Sequence, residues 1–329
     1  MNNPFNEEFL VCSPEYSTVM KDIVFPELEK RQADRIIPGK NQFPLFCSVF
    51  RADDPRGTIL VLHGFTENAY KYSELIFSLL RNHYSVVAYD QRGHGRSGRT
   101  EGLSHPSVTH VDHFEDYVDD LAIVCDTVLP ELPEPRMIFA HSMGGAVASL
   151  YLEKHKNTFA AAALCSPMIA PNAGGLPAGI ASGFSGISCL IGQGKKAPFF
   201  MKPYQGPEDF ATSAATDPVR FAWYDAVKAA RPEFQNSIPS CRWVAESCAV
   251  TKKILSPGAP ESVACPVLLS SADHDASVRY DAQEQFIRRV PKGKHLFVKD
   301  SRHEIFRSVN SVFFPWWHEV LTFLKEAET

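Results

Sequence analysis

Ser142 lies in AHSMGG, residues 140–145, after the apolar run MIFA (137–140) and before the helix-prone AVASLYLEKH (146–155). A serine placed where a short buried strand turns sharply into a helix has its hydroxyl lifted above the sheet, as a nucleophile requires. Strand and helix pass close together at such a turn, so small residues are needed two places before and after the serine. Here they are Ala140 and Gly144. Alanine stands where the usual GxSxG pattern has its first glycine, adding one methyl.

A nucleophilic serine also needs a general base, an acid to orient that base, and donors for an oxyanion. In folds built around such a serine elbow these groups follow in the order serine, acid, histidine, each at the C-terminal end of a strand where the loops converge. After PVLLSSA comes DHDASV, which carries Asp273 and Asp275, and after HLFVKDS comes RHEIF, which carries His303. The two aspartates stand two residues apart and would point the same way at a strand end, so periodicity does not separate them. His303 is the better base. His63 and His94 lie in glycine-flanked turns, His141 is on the wrong side of the serine, and His110, His113 and His155 fall on helices or their approaches. The oxyanion donors expected are the backbone N–H groups of Met143, next after the serine, and of Phe65 in the loop HGFTEN, where Gly64 lets the chain turn. DQRGHGRS, residues 90–97, lacks both a phosphate-loop lysine and dinucleotide GxGxxG spacing, and reads as scaffold beneath the site.

The positioning elements are visible as short apolar runs from about Phe43 onward. FPLFCSVF, TILVLHG, YSVVAYD, RMIFAHS, FAAAALCSP, PVLLSSA and HLFVKDS read as strands, and the amphipathic segments between them as helices. Continuously apolar strands alternating with helices specify an α/β fold with a mostly parallel sheet. Residues 168–262 break the rhythm: Gly, Pro, Ser and aromatics first, then helical pattern, with no convincing strand. The expected organisation is a core of residues 1–167 and 263–329 with a mainly helical cap inserted at 168–262.

Composition narrows the class. Of 329 residues, 44% are hydrophobic and 22% charged, with a net charge of −5, which leaves no basic footprint for nucleic acid. The eight cysteines show no CxxC pair or His/Cys metal spacing, which favours a reduced compartment. No signal peptide and no bilayer-spanning run is evident, so the expected location is cytoplasmic, with peripheral membrane contact at most.

HGFTEN, DQRGHGRS, AHSMGG, the late aspartates and RHEIF together resemble the α/β-hydrolase superfamily, and within it the lysophospholipase and monoacylglycerol lipase branch. HFEDYVDDL and SCRWVAES look particularly like bacterial lysophospholipases. The resemblance implies an α/β-hydrolase fold and a serine hydrolase cleaving the carboxylic ester of a single-acyl lipid, first a lysophospholipid, then a monoacylglycerol. A general carboxylesterase or thioesterase is the alternative, and a non-catalytic binding protein on the same fold a further one, against which an intact serine, histidine and aspartate speak. A valine three residues past the acid commonly anchors this loop in related enzymes, and Val278 stands so to Asp275, which the resemblance therefore favours. The chemistry needs no metal or organic cofactor. The cap would supply an acyl pocket from Phe184, Ile187, Leu190, Phe199, Phe200, Met201, Phe210, Phe221, Trp223 and Trp243, and Lys195, Lys196 and Lys202 would meet anionic head groups.

Overall fold

The computed structural model describes residues 15–172 and 178–328, with side chains at all of these except 178–182 and 184. Its strands are β1 Gln32–Pro38, β2 Pro44–Phe50, β3 Gly57–Leu62, β4 Tyr84–Tyr89, β5 Val108–Thr109, β6 Arg136–His141, β7 Ala161–Cys165, β8 Ile238–Pro239, β9 Val267–His274 and β10 Gly293–Arg302. Eight of them form one sheet in the order β1-β2-β4-β3-β6-β7-β9-β10. Only β2 runs antiparallel to its neighbours, β1 and β4; the remaining pairs are parallel. The two residues of β5 pair with those of β8 in a separate short ladder.

The helices are α1 Tyr16–Val19, α2 Phe25–Arg31, α3 Ser73–Arg81, α4 Glu115–Thr127, α5 Met143–Lys154, α6 Ala178–Leu190, α7 Pro218–Ala230, α8 Cys241–Ile254, α9 Tyr280–Arg289 and α10 Asn310–Glu326. They cover both faces of the sheet, and the central strands β3, β4 and β7 are buried at every position. Ile59 and Val61 of β3 face a cluster with α3 and the Trp316–Trp317 pair of α10, while Leu60 and Leu62 face a cluster with α4, α5 and α9. Each such side chain contributes about 1.5–3 kcal/mol by its burial. The expected α/β-hydrolase fold is the fold observed.

Two elements precede the first expected strand. Tyr16, Met20, Val24 and Leu28, four residues apart, are buried along a helical segment that begins at α1, passes through a π-helical stretch at Met20–Val24 and ends in α2. β1 is an edge strand whose sequence, QADRIIP, is too polar to read as one. The chain between β7 and β9 carries α6, α7 and α8, together with the two-residue β8 that sequence reading did not find.

The chain between β7 and β9 is hydrogen-bonded to the rest of the protein at several places. Ser240 N–H donates to Thr109 O at 2.9 Å, Asn236 Nδ2 donates to Gly93 O at 2.9 Å, and Phe114 N–H donates to Glu246 Oε2 at 3.0 Å. Elsewhere Arg220 of α7 grips Glu74 of α3 with Nε at 2.9 Å and Nη2 at 2.8 Å, and Tyr16 donates its hydroxyl to the same carboxylate at 2.8 Å.

Candidate active site

Ser142 closes β6 and caps α5 with φ 50° and ψ −117°. A non-glycine residue held there stores about 1–3 kcal/mol, which the surrounding packing must offset. The packing is tight on both sides. A Cβ at Gly144 would lie 2.6 Å from both Leu62 O and His63 O, and one at Gly145 would lie 2.5 Å from Pro167 Cβ. Ala140, by contrast, points its methyl into the apolar cluster beside α5, so its departure from glycine is absorbed by the core.

His303, in the loop after β10, places Nε2 2.8 Å from Ser142 Oγ. Its Nδ1 lies 2.7 Å from Asp275 Oδ2, in the loop after β9. The other oxygen, Asp275 Oδ1, accepts the N–H groups of Ser277 at 2.8 Å and Val278 at 3.0 Å. Asp273 is elsewhere: its Oδ2 accepts Asp300 N–H at 3.3 Å and approaches His274, bracing the neighbouring loop. The Asp273 side chain is 30% exposed against 6% for Asp275.

Burial works against a charge on either member of the His303–Asp275 pair. For His303 the Asp275 carboxylate, then Glu304 and Glu67, outweigh burial and raise its pKa above the ordinary imidazole value. For Asp275, His303 and the Ser277 and Val278 amides outweigh burial and hold its carboxyl below the ordinary range. A histidine so placed has the geometry to take a proton from a serine hydroxyl and keep it near the carboxylate.

The loop after β3 lies directly against the serine, since a Cβ at Gly64 would come 3.1 Å from Ser142 Cβ. His63 Nδ1 donates to Gly64 O at 2.7 Å while Nε2 accepts Gln91 N–H at 2.8 Å, and burial pushes this imidazole down in pKa. In a trans peptide the C=O and N–H point opposite ways, so holding Gly64 O toward His63 turns Phe65 N–H away from it. Met143 opens α5, and its N–H, in the first helical turn, has no partner within the helix. Trp243 of α8 covers the Phe65 ring at a centroid distance of 3.9 Å.

DQRGHGRS is scaffold, as expected. Asp90 accepts Ala69 N–H and Arg96 N–H, each at 2.7 Å, and Gly95, at φ 51°, leaves no room for a Cβ beside that carboxylate. Three buried residues that sequence reasoning gave no role stand behind the triad: Glu67, Lys71 and Glu304. Glu67 and Glu304 were visible within HGFTEN and RHEIF, but nothing in their spacing says that they meet across one lysine.

The expected acyl-pocket residues divide. Phe221 and Trp243 are buried, whereas Ile187, Leu190 at 87% and Phe199 at 84% are exposed, with Phe200 and Met201 beside them. Trp223 stacks on Phe25 and Tyr70, against the N-terminal helical segment, because that segment supplies the aromatic partner sequence reading lacked. Phe184 lies outside the described side chains. Lys195 donates to Glu101 O at 2.9 Å. Among the described residues no helix is long and apolar enough to cross a membrane, no cluster of metal-binding groups occurs, and the cysteines are free thiols.

A serine elbow on a mostly parallel sheet, with acid and histidine on the last two strand ends, defines an α/β-hydrolase and a serine ester hydrolase. The chain belongs to the family described as serine aminopeptidase, S33, whose model matches residues 53–310. It is similar to lysophospholipase L2 of Escherichia coli K12, 30% identical over 293 residues covering 84% of this chain and 82% of the relative. Monoglyceride lipase of Rattus norvegicus is 34% identical over 130 residues, 39% of this chain and 41% of the relative. Among solved structures, a soluble variant of monoglyceride lipase from Saccharomyces cerevisiae, in complex with a substrate analogue, shares the fold with TM-score 0.68 and 20% identity, covering 90% of this chain and 96% of that one.

Proposed function

We propose that this protein hydrolyses the carboxylic ester of a single-acyl lipid, a lysophospholipid first and a monoacylglycerol second. Ser142 would attack the ester carbonyl while His303 takes its proton and Asp275 holds the imidazole. The N–H groups of Phe65 and Met143 would receive the oxyanion, and each such donor is worth roughly 3–4 kcal/mol in serine hydrolases. His303 would then protonate the leaving alcohol, and water would release the fatty acid from the acyl-enzyme. The observation that carries this reading is the continuous hydrogen-bonded path from Ser142 Oγ to Asp275. Similarity along most of the chain to a lysophospholipase supports the choice of substrate.

Residues 168–262 would act as the cap over this site, with residues 1–167 and 263–329 as the core. Exposed Leu190, Phe199 and Phe200 beside Lys195, Lys196 and Lys202 suit transient contact with an anionic lipid surface. Fatty-acid release from a panel of lysophospholipids, monoacylglycerols, diacyl lipids and short-chain esters tests the substrate. Preference for lysophospholipids is the expected result, and fastest turnover of short soluble esters with no long-chain activity would overturn it.

A further inference from the structure

We propose that Glu67 and His141 form a positioning pair that holds the oxyanion loop and the catalytic-histidine loop in register around the nucleophile. The inference rests on the triad reading above. Glu67 is buried behind the site with both carboxylate oxygens committed. Oε2 accepts Gly64 N–H at 2.7 Å and the Tyr72 hydroxyl at 2.6 Å, and lies 3.1 Å from His141 Nδ1. Oε1 accepts Lys71 Nζ at 2.8 Å. His141, the residue before the serine, sends its other nitrogen, Nε2, toward His303 O at 3.2 Å. A carboxylate and a carbonyl offer only lone pairs, so each ring nitrogen faces an acceptor oxygen on a different loop.

The result is a second carboxylate–imidazole pair running behind the triad, with the His141 and His303 rings 4.8 Å apart. One end fixes Gly64, whose carbonyl shares a peptide with the Phe65 N–H. The other end fixes the main chain of the catalytic histidine. A second route joins the same two loops, because Lys71 also donates to Glu304 Oε1 at 2.5 Å, and Glu304 in turn accepts Arg307 at 2.6 Å. Tyr72 stacks on Phe306 at 4.8 Å, and the Phe306 and His141 rings meet edge to face at 5.0 Å, so the pair is packed from the side. Taking these charges out of water is costly, and an apolar pair would fill the space as well. What the polar pair adds is direction: hydrogen bonds aimed at two loops that must sit at fixed distances from one serine oxygen.

The pair also bears on the base electrostatically. His303 is faced by Asp275 from the loop after β9, Ser142 from the elbow, His141 from β6, Glu67 and Lys71 from the segment after β3, and Glu304 and Arg307 from its own loop. Glu67 and Glu304 both favour its protonated form. Glu67 itself is opposed by burial, but Lys71 and His141 hold its carboxyl well below the usual range, so it is charged.

The test uses the full chain, a soluble p-nitrophenyl ester, the three single variants Glu67→Gln, His141→Asn and His141→Gln, and the double variant Glu67→Gln/His141→Asn. Asparagine at 141 keeps an amide near the Nδ1 position, facing Glu67, and glutamine keeps one near Nε2, facing His303 O. The expected result is a kcat lowered by about 10²-fold in Glu67→Gln, the scale of a lost oxyanion donor, with KM changed by less than about twofold. Each His141 variant should lose part of that, and the double variant Glu67→Gln/His141→Asn should be no worse than Glu67→Gln alone, because coupled losses do not add. The acidic limb of kcat/KM should move to lower pH in Glu67→Gln, a shift that a merely structural role would not produce. Unchanged kcat in all three variants, or losses confined to KM, or an unmoved pH limb would overturn the proposal. Should Glu67→Gln fail to fold, the two His141 variants decide on kcat alone. A wild type that neither turns over ester nor labels with a fluorophosphonate would instead refute the triad reading.

Discussion

Asp275 offers one oxygen to His303 and the other to the backbone N–H of Val278, so the residue three places past the acid holds the carboxylate from behind. Asp273, two residues earlier, takes no part in this arrangement. Asp275→Asn is therefore expected to lower turnover by about 10⁴, since an amide leaves histidine in the wrong tautomer. Asp273→Asn should cost little. Steady-state kinetics on both variants checks this, and the larger loss at Asp273 would contradict it.

Ser142→Ala is expected to abolish ester hydrolysis without unfolding the protein, because the hydroxyl adds little to the packing that holds φ at 50°. Loss of a triad serine costs about 10⁶ in kcat in the serine-protease precedent. A fluorophosphonate probe should label the wild type and leave this variant unlabelled, with equal melting midpoints. Residual turnover above about a thousandth of wild type would rule out Ser142 as nucleophile.

The base must be neutral to accept the serine proton, so activity is expected to rise with pH as His303 deprotonates. Burial lowers the His303 pKa, but Asp275 and the two glutamates raise it further, placing the limb above the ordinary imidazole value of about 6.5. Removing the Asp275 charge should move the limb downward. A kcat/KM profile of wild type and Asp275→Asn reads both the position and the sign.

Lys195, Lys196 and Lys202 replaced together by alanine should weaken binding to anionic vesicles at low salt, each charge contributing about 1 kcal/mol near the surface. Turnover of soluble esters should be unaffected. Equal co-sedimentation of variant and wild type would exclude the electrostatic contact.

The parts legible in the sequence are those decided by neighbours along the chain. β3, β6, β7 and β9 each carry a short apolar run, and the elbow needs only small residues at fixed offsets around Ser142. Other parts depend on partners far away. Glu67 and His141 are 74 positions apart and acquire a role only when β3 and β6 lie side by side. The stripe Tyr16, Met20, Val24 and Leu28 carries mixed residue types and no clear start signal, so its helix is visible only against α3. Phe199 and Phe200 looked like pocket lining because composition says that a side chain is apolar, and not which way it faces.

The Glu74 carboxylate joins Tyr16 of the N-terminal segment to Arg220 of α7, although some two hundred positions separate them in the chain. The family match begins at residue 53, past that segment, and spans every residue proposed for the chemistry. The matched region thus holds every residue proposed for the chemistry, while Tyr16, from outside it, is a strut that reaches α7 through Glu74. On the proposed reading of residues 168–262 as a cap, changes at Tyr16 or Phe25 would shift the footing of α7 without altering a single group proposed to handle the ester.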